Sequence, residues 1–529
     1  MLGRRNPQRS LFEVPFWAEG LIPKDSFHSR MGRFWSGISL DYDLGEMYAE
    51  EQGAPSLPPS IMSAVLILQY FDDVSDREAA DRVRFDMRWK LALGLPLEDE
   101  GFHYSSLSRF RSRLAEHGME RYAFDKLVRL AVETGLLVKG AEQVLDSTPI
   151  YGAAALQDTY TLLRNGIRKL LSAMGESKGR RRRLAKQLKL ESYLNKEKPE
   201  LDWADSDARK AHLQELIGDA QRLLQEAEAS SLSPEGEVQG AYVLLRQLLS
   251  QDVEEGRDDQ YQIKEGVAKD RIISTVDPEM RHGRKSANTR FDGYKGHVAV
   301  EPATGLITNI EVRPGNEYDG EAAEGLVNEQ AERYDLTPQA IIGDHPYTDA
   351  ERRQRFSQQG KEVVGRVSKH NRRGCFPKSA FQIDLIAGRI TCPAGHSTCR
   401  YKSRLDKRGR PWRKFYFPRE VCQSCPLRAN CTSSQSTGRT ISLHPYEALL
   451  QAAQAYQETE EFKKRYRSAR STVERTIAHL ARHGFRQARY FGQAKVKLQT
   501  LWAAAGVNLQ PLMALMEQRS ELRQSAQPA

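Results

Sequence analysis

The 529-residue sequence predicts an α/β core, a mixed sheet flanked by helices, with an all-α region before it and two insertions inside it. Three observations lead there. Two short apolar runs, 144–150 (VLDSTPI) and 339–344 (QAIIGD), each meet an aspartate, as suits strands buried on both faces of a sheet. Residues 290–320 (RFDGYKGHVAVEPATGLITNIEVRPGNEYDG) read as a hairpin, with strands near 297–300 and 306–313 around an Ala-Thr-Gly turn. Residues 160–265 are charged and helical with no strand signal, so they interrupt the core.

Taken in order, Pro58-Pro59-Ser60 opens a helical pattern, IMSAVLILQYF. Ser75-Asp76 caps a second helix ending near Gly94, and Ser105-Ser106 caps a third that carries Arg109, Arg111 and Arg113. A fourth leads to Gly140. Short helices with an arginine-bearing member suit a helix-turn-helix-like DNA binder, and residues 1–140 are read as an N-terminal helical DNA-binding domain with Arg109 and Arg113 as candidate contacts. The first strand, within residues 141–159, ends at Asp146. In the insertion, residues 160–265, Leu213, Leu216, Ile217, Ala220, Leu223, Leu224 and Ala227 recur at helical spacing and form a packing seam. The run 178–183 (KGRRRR) is a solvated face that in a DNA-handling protein meets phosphates. The core resumes over 266–371 with the hairpin, a helix at 321–334, the strand ending at Asp344, a helix at 349–359 and a strand at 362–367. A cysteine-rich segment, 372–435, precedes the last part of the core, 436–529, with a basic helix near 460–483 and an Ala/Leu-rich helical end. Without its insertions the order is β–β–β–α–β–α–β–α, that of a ribonuclease-H-like fold.

Lys and Arg total 79 against 70 Asp and Glu, a net charge of +9. On a long polar chain this balance favours nucleic acid over membrane as a partner. The longest apolar runs, such as 61–68, are too short to span a bilayer. The start MLGRRNPQRS lacks an apolar stretch after its arginines, so no secretory signal is expected. Six cysteines in so long a chain do not make a disulfide scaffold.

Strand neighbours would set Asp146 and Asp344 side by side, where two like charges raise each other's pKa unless a cation lies between them. Mg²⁺ or Mn²⁺, taking oxygen ligands, suits such a pair. The third carboxylate is Glu474. Between residues 461 and 490 nine Lys and Arg face two acids, so Glu474 is an isolated acid in a positive field. Tyr466, Arg470 and Glu474 are spaced by four, along one helix face beside the apolar stripe Val473, Ile477 and Leu480. Arg467 and Arg482 on the same helix are candidate DNA contacts.

Five cysteines fall between 392 and 431. Cys392-Pro-Ala-Gly, then Cys422-x-x-Cys425 and Cys431, has the pattern of a zinc-ribbon-like insertion, since tetrahedral Zn²⁺ takes four Cys or His ligands. Cys392, Cys422, Cys425 and Cys431 are the favoured set, with His396 or Cys399 as replacements for one of them.

The boxes in this order resemble the DDE transposases of bacterial insertion sequences, the long subgroup with an N-terminal helical domain and a cysteine cluster before the Glu. They are RIISTVDPEMRHGRK (271–285), FDGYKGHVAV (291–300), RPGNEYDG (313–320), IIGDHPYTD (341–349), then Tyr466, Arg470 and Glu474 followed by GFRQARYFGQAKVKLQTLWAAAGVNL. Related enzymes often place the Tyr three residues before the Arg and a Lys seven after the Glu. Here Tyr466 is four before Arg470, and Ala481 with Arg482 stands at the lysine's place. The resemblance implies that Asp146, Asp344 and Glu474 hold Mg²⁺. It implies that water cuts at the transposon ends and that the freed 3′-hydroxyl attacks target DNA. Arg470 and Tyr466 would orient Glu474 or touch a phosphate near the scissile bond, with Arg290 and Lys295 as further phosphate contacts. The expected partners are transposon ends and target DNA, bound by a homodimer or higher oligomer in the cytoplasm, at the bacterial nucleoid. The alternatives are a metal-dependent nuclease without strand transfer and a non-catalytic DNA-binding protein derived from a transposase.

Overall fold

The computed structural model describes residues 1–5, 21–49, 53–195, 197, 199–230, 236–256, 260–286, 288–367, 374–406 and 409–525, the last six as backbone only. Up to Gly140 the described residues form helices: α1 (Phe27–Ile38), α2 (Pro59–Phe71), α3 (Asp76–Phe85), α4 (Met87–Leu93), α5 (Ser105–Glu116) and α6 (Tyr122–Glu133). Pro59 opens α2, where a missing N–H costs nothing. The single helix expected over 76–94 is two. Asp86 is extended, ends α3 and accepts a hydrogen bond from the Arg88 amide to begin α4. Aspartate competes for backbone donors better at a cap than inside a helix. Gly94, at φ 60°, then closes α4 in the left-handed conformation.

β1 spans Gln143–Tyr151. The insertion follows as α7 (Thr159–Gly175), α8 (Lys178–Leu188), α9 (Ser206–Ala229) and α10 (Glu237–Asp252). Its leucine row is buried as a seam, Leu216, Ala220, Leu223 and Ala227 packing with Leu170 and Leu245. A short hairpin, β2 (Val253–Glu255) and β3 (Tyr261–Ile263), ends it. No strand was expected there, because two three-residue strands leave no periodicity to read. The core then runs β4 (Arg281–Arg284), β5 (Arg290–Val300), β6 (Ile307–Pro314), α11 (Ala322–Tyr334), β7 (Ala340–Gly343), α12 (Ala350–Gln358) and β8 (Glu362–Val364).

The sheet order is β6–β5–β1–β7–β8, with β4 on the first residues of β5. β5 is antiparallel to β1 and β6, whereas β1, β7 and β8 are mutually parallel. This mixed sheet, covered by helices, is the expected α/β core. One expectation changes: Asp146 is not the last residue of its strand. Parallel pairing with β7 stops at Leu145–Gly343, but antiparallel pairing with β5 continues to Tyr151–Gly293. Pro149 falls in this singly paired stretch, where its missing N–H leaves no second ladder broken.

The cysteine-bearing segment folds as two three-stranded sheets, β9 (Gln382–Asp384), β10 (Arg389–Thr391) and β11 (Ser397–Thr398), then β12 (Tyr401–Leu405) and β13 (Pro411–Tyr416) with a later strand, β14 (Thr440–Leu443). A short helix, α13 (Arg419–Gln423), lies between β13 and β14. The chain ends in α14 (Glu447–Gln457), α15 (Glu460–Arg482) and α16 (Gln493–Ser525). One apolar core joins the N-terminal helices, one sheet face, α15 and α16, through Leu66, Val298, Val473 and Trp502. The other sheet face packs Leu145, Ala299, Leu326, Ile341 and Phe356. Among the described residues no helix is long and apolar enough to cross a membrane.

Candidate active site

The β1–β7 register brings two carboxylates together. Leu145 lies opposite Gly343 in parallel pairing, so Asp146 and Asp344, next along each strand, leave the shared ladder as neighbours. Asp146 is buried, and one of its oxygens accepts from the Ser147 amide at 2.9 Å. Burial raises its pKa against the opposing Arg470 charge. Asp344 is pushed up to about 6 by burial first, then by the Asp146 charge, again against Arg470. Its Oδ1 is buried without a hydrogen-bond partner among the described residues.

α15 supplies the rest. Phe462, Ala469, Val473, Ile477 and Leu480 form its buried stripe, and Arg470 and Glu474 stand beside that stripe. Arg470 Nη2 bridges Asp146 Oδ2 at 3.0 Å and Glu474 Oε1 at 3.3 Å. The guanidinium is thus the positive charge these carboxylates share. Its Nη1 is buried and has no hydrogen-bond partner among the described residues. Glu474 is the most exposed acid of the three. Among the described residues no three His, Cys, Asp or Glu side chains stand together as a metal-holding group, the acids included. Tyr466 stacks on Phe462, lies under Arg366, and is half-buried. Burial raises its pKa most, and the Arg470 charge opposes this.

After α15, Gly484 turns the chain so that Tyr151 and Gln487 form a parallel bridge, and Arg486 Nε donates to Thr148 Oγ1 at 3.1 Å. The helix bearing Glu474 is thereby tied directly to the strand bearing Asp146.

A neighbouring polar network was missed in the sequence. Asp319, in the box RPGNEYDG, accepts from Ser147 Oγ at 2.7 Å and from Lys295 Nζ at 2.5 Å. Its charge also raises the Asp344 pKa. Lys295 additionally donates to the Glu317 carbonyl, so its charge is engaged inside the protein. His297, fully buried, meets the Tyr347 hydroxyl at 2.6 Å, and burial lowers its pKa to about 4. The signal available was the box itself, whose aspartate stands two residues after Glu317.

The other candidates lie apart from this cluster. Arg109 is exposed and donates to Ser105 Oγ, whereas Arg113 lies over the Tyr48 ring at 4.7 Å. Arg111, between them, is buried in an ion pair with Asp76. Arg290 is exposed at the start of β5, and Arg467 and Arg482 are exposed on α15. Arg467 lines a surface groove with Lys463, Lys464 and Ser471. Cys392, Cys422, Cys425 and Cys431 line one small cavity with His396, and Cys399 is exposed elsewhere. Burial raises the Cys431 pKa, and the other three thiols add to the rise.

Fold and site together define a class: an α/β core whose two central parallel strands and one packed helix gather acids around an arginine. Residues 391–513 match the family model described as Transposase DDE domain, and residues 16–113 match Transposase domain (DUF772). The first match contains Tyr466, Arg470, Glu474 and the cysteine cluster. No curated protein is significantly similar to the chain. Both matches are to transposase models, and together they support a DDE transposase of the insertion-sequence type.

Proposed function

We propose that the protein binds transposon terminal inverted repeats, cleaves DNA by metal-dependent hydrolysis and joins the 3′-hydroxyl ends to target DNA. The β1–β7 register supports this reading: Leu145 pairs with Gly343, so Asp146 and Asp344 follow at adjacent positions, and Arg470 pairs with Asp146 and with Glu474. The donor set fits Mg²⁺ or Mn²⁺. Hard carboxylate oxygens are its ligands, and Asp344 Oδ1 is a buried acceptor that no group among the described residues satisfies. Asp146, Asp344 and Glu474 would hold the ions, which when bound supply an activated water and a neutralised leaving oxygen for in-line displacement.

The chain's own groups do the rest. Arg470 holds Asp146 and Glu474 in place, and its Nη1, without a partner among the described residues, is a charge-assisted donor for a phosphate oxygen. Tyr466, stacked on Phe462 and half-buried one turn before Arg470, would help to position that guanidinium. The exposed Lys463, Lys464 and Arg467 supply backbone-phosphate contacts along the same helix. The N-terminal helices, residues 1–140, contribute end recognition through Arg109, Arg113 and neighbours. The enzyme acts as a dimer or higher oligomer on paired ends, at the bacterial nucleoid. A structural zinc on Cys392, Cys422, Cys425 and Cys431 organises the cysteine segment, supported by the four thiols lining one cavity.

The test offers the protein a duplex with a pre-cut 3′ end plus a plasmid target, with Mg²⁺. Joined products are expected. Asp146→Asn, Asp344→Asn and Glu474→Gln should each lower cleavage and joining by about 10³-fold or more, the loss expected when a two-metal clamp is incomplete. Cleavage without joining would mean a nuclease. Undiminished activity in the three variants would end the carboxylate assignment.

A further inference from the structure

The helical insertion carries a cavity of its own, about 290 Å³, where α7, α8 and the chain returning to the sheet meet. Arg168 and Lys169 of α7, Arg181 of α8 and the Thr275–Val276 segment line it. Arg164, one turn before Arg168, lies over the Tyr193 ring at 5.2 Å.

Each of these four cations is held by neutral oxygens. Arg164 donates to the Ser192 and Glu197 carbonyls, both at 2.9 Å. Arg168 Nε donates to the Tyr193 carbonyl at 3.2 Å, and Arg181 to Ser172 Oγ at 2.9 Å. Lys169 donates to the Thr275 carbonyl. None of the four forms an ion pair with a carboxylate among the described residues, whereas other arginines of the insertion do, as in Arg222–Asp219 and Arg180–Glu176. Burial, then the charges of Arg164 and Arg181, lowers the Arg168 pKa, and burial lowers that of Lys169.

Like charges fixed together without a counter-charge repel, and an arriving anion relieves that repulsion. The neutral acceptors orient the donors without cancelling their charge, which is what a preorganised anion site requires. Arg182 and Arg183, exposed on α8, extend the positive surface beyond the size of one small anion.

We infer that this cavity binds backbone phosphates of duplex DNA, so that the insertion grips the nucleic acid at a point separate from the carboxylate site. The inference rests on the DNA-acting reading proposed above.

The test uses the full-length protein and a fluorescent duplex carrying the element's own end, titrated at several salt concentrations. The variant R168Q/K169Q/R181Q is compared with K210Q/R246Q/K269Q, which removes the same charge from exposed sites elsewhere. The cavity variant should bind at least about tenfold more weakly at low salt, with a salt slope smaller by about two to three, since each phosphate contact contributes about 0.9. The control should change the slope by less than about one. A second measurement needs no variant: acetylation of Lys169 in the wild-type protein should be suppressed by the duplex, while Lys210 remains reactive. An unchanged slope and an unprotected Lys169, in a wild-type protein that binds DNA, would overturn the inference alone. Protection by inorganic phosphate but not by duplex would mark a small-anion site and also overturn it. If the wild-type protein binds no duplex at all, the DNA-acting reading falls and takes this inference with it.

Discussion

Burial and the neighbouring Asp146 charge lift the Asp344 carboxyl to about 6, from an ordinary 3.8. Its charged form is therefore disfavoured in the folded protein. For a carboxyl raised on folding, stability is fully present below the unfolded pKa and is lost as pH rises through the folded one. Without divalent ions, Asp344→Asn should stabilise the protein by about 2–3 kcal/mol at pH 7.5, at 1.36 kcal/mol per pKa unit. The gain should vanish below about pH 4, where both states carry a protonated carboxyl. Urea midpoints of the two proteins across that range check it. Equal stability at neutral pH would mean that Asp344 is already compensated. Arg470 compensates only in part, because one guanidinium faces Asp146, Asp344 and Glu474 together.

At the scale of elements, the site depends on how far β1 extends past its parallel partner. β5 supports that extension up to Gly293, which has φ 144°. A Cβ there would lie 2.2 Å from the Ile150 carbonyl oxygen and 2.5 Å from the Gly152 amide nitrogen, both backbone atoms that cannot swing aside. Gly293→Ala should cost more than about 2 kcal/mol, combining strain at a left-handed φ with a backbone clash. Gly305→Ala is the matched control. Its φ is 73°, but its nearest neighbour is a side-chain carbon at 3.9 Å, so only the conformational cost of about 1 kcal/mol applies. Equal losses by urea unfolding would show that the close approach of β1 and β5 is not tight. The same stretch of β1 receives the bridge from Gln487, so loosening it also frees the Glu474 helix.

Across the whole molecule, the insertions keep apolar cores apart from the sheet. The helical insertion buries Leu216, Leu223 and Leu245 in one cluster, and the cysteine segment buries Ile390, Phe415 and Ile441 in another. The second core is small, which is the situation in which a structural metal contributes folding free energy. Purified protein should carry about one zinc per chain, the content of a single four-thiolate site. Chelation should raise hydrogen exchange in β10 and β13 while β1 and β5 stay protected. Protein free of zinc with the same protection pattern would remove the metal from the account.

The strands leading to Asp146 and Asp344, the α15 stripe and the leucine seam of the insertion were legible because each is a local periodicity: an apolar run, or a spacing of three and four. The break at Asp86 was hidden, because a capping aspartate and a solvent-facing one look alike until the backbone turns. What the sequence by itself determined was the class of core, its interruption by two insertions and the acids and thiols available. Tertiary structure alone decided that Arg470 bridges Asp146 and Glu474, that Asp319 engages Lys295, and that three cations of the insertion line one cavity without an ion-pair partner among the described residues. Those facts depend on which side chains meet across more than a hundred residues of chain, and no local pattern carries that information.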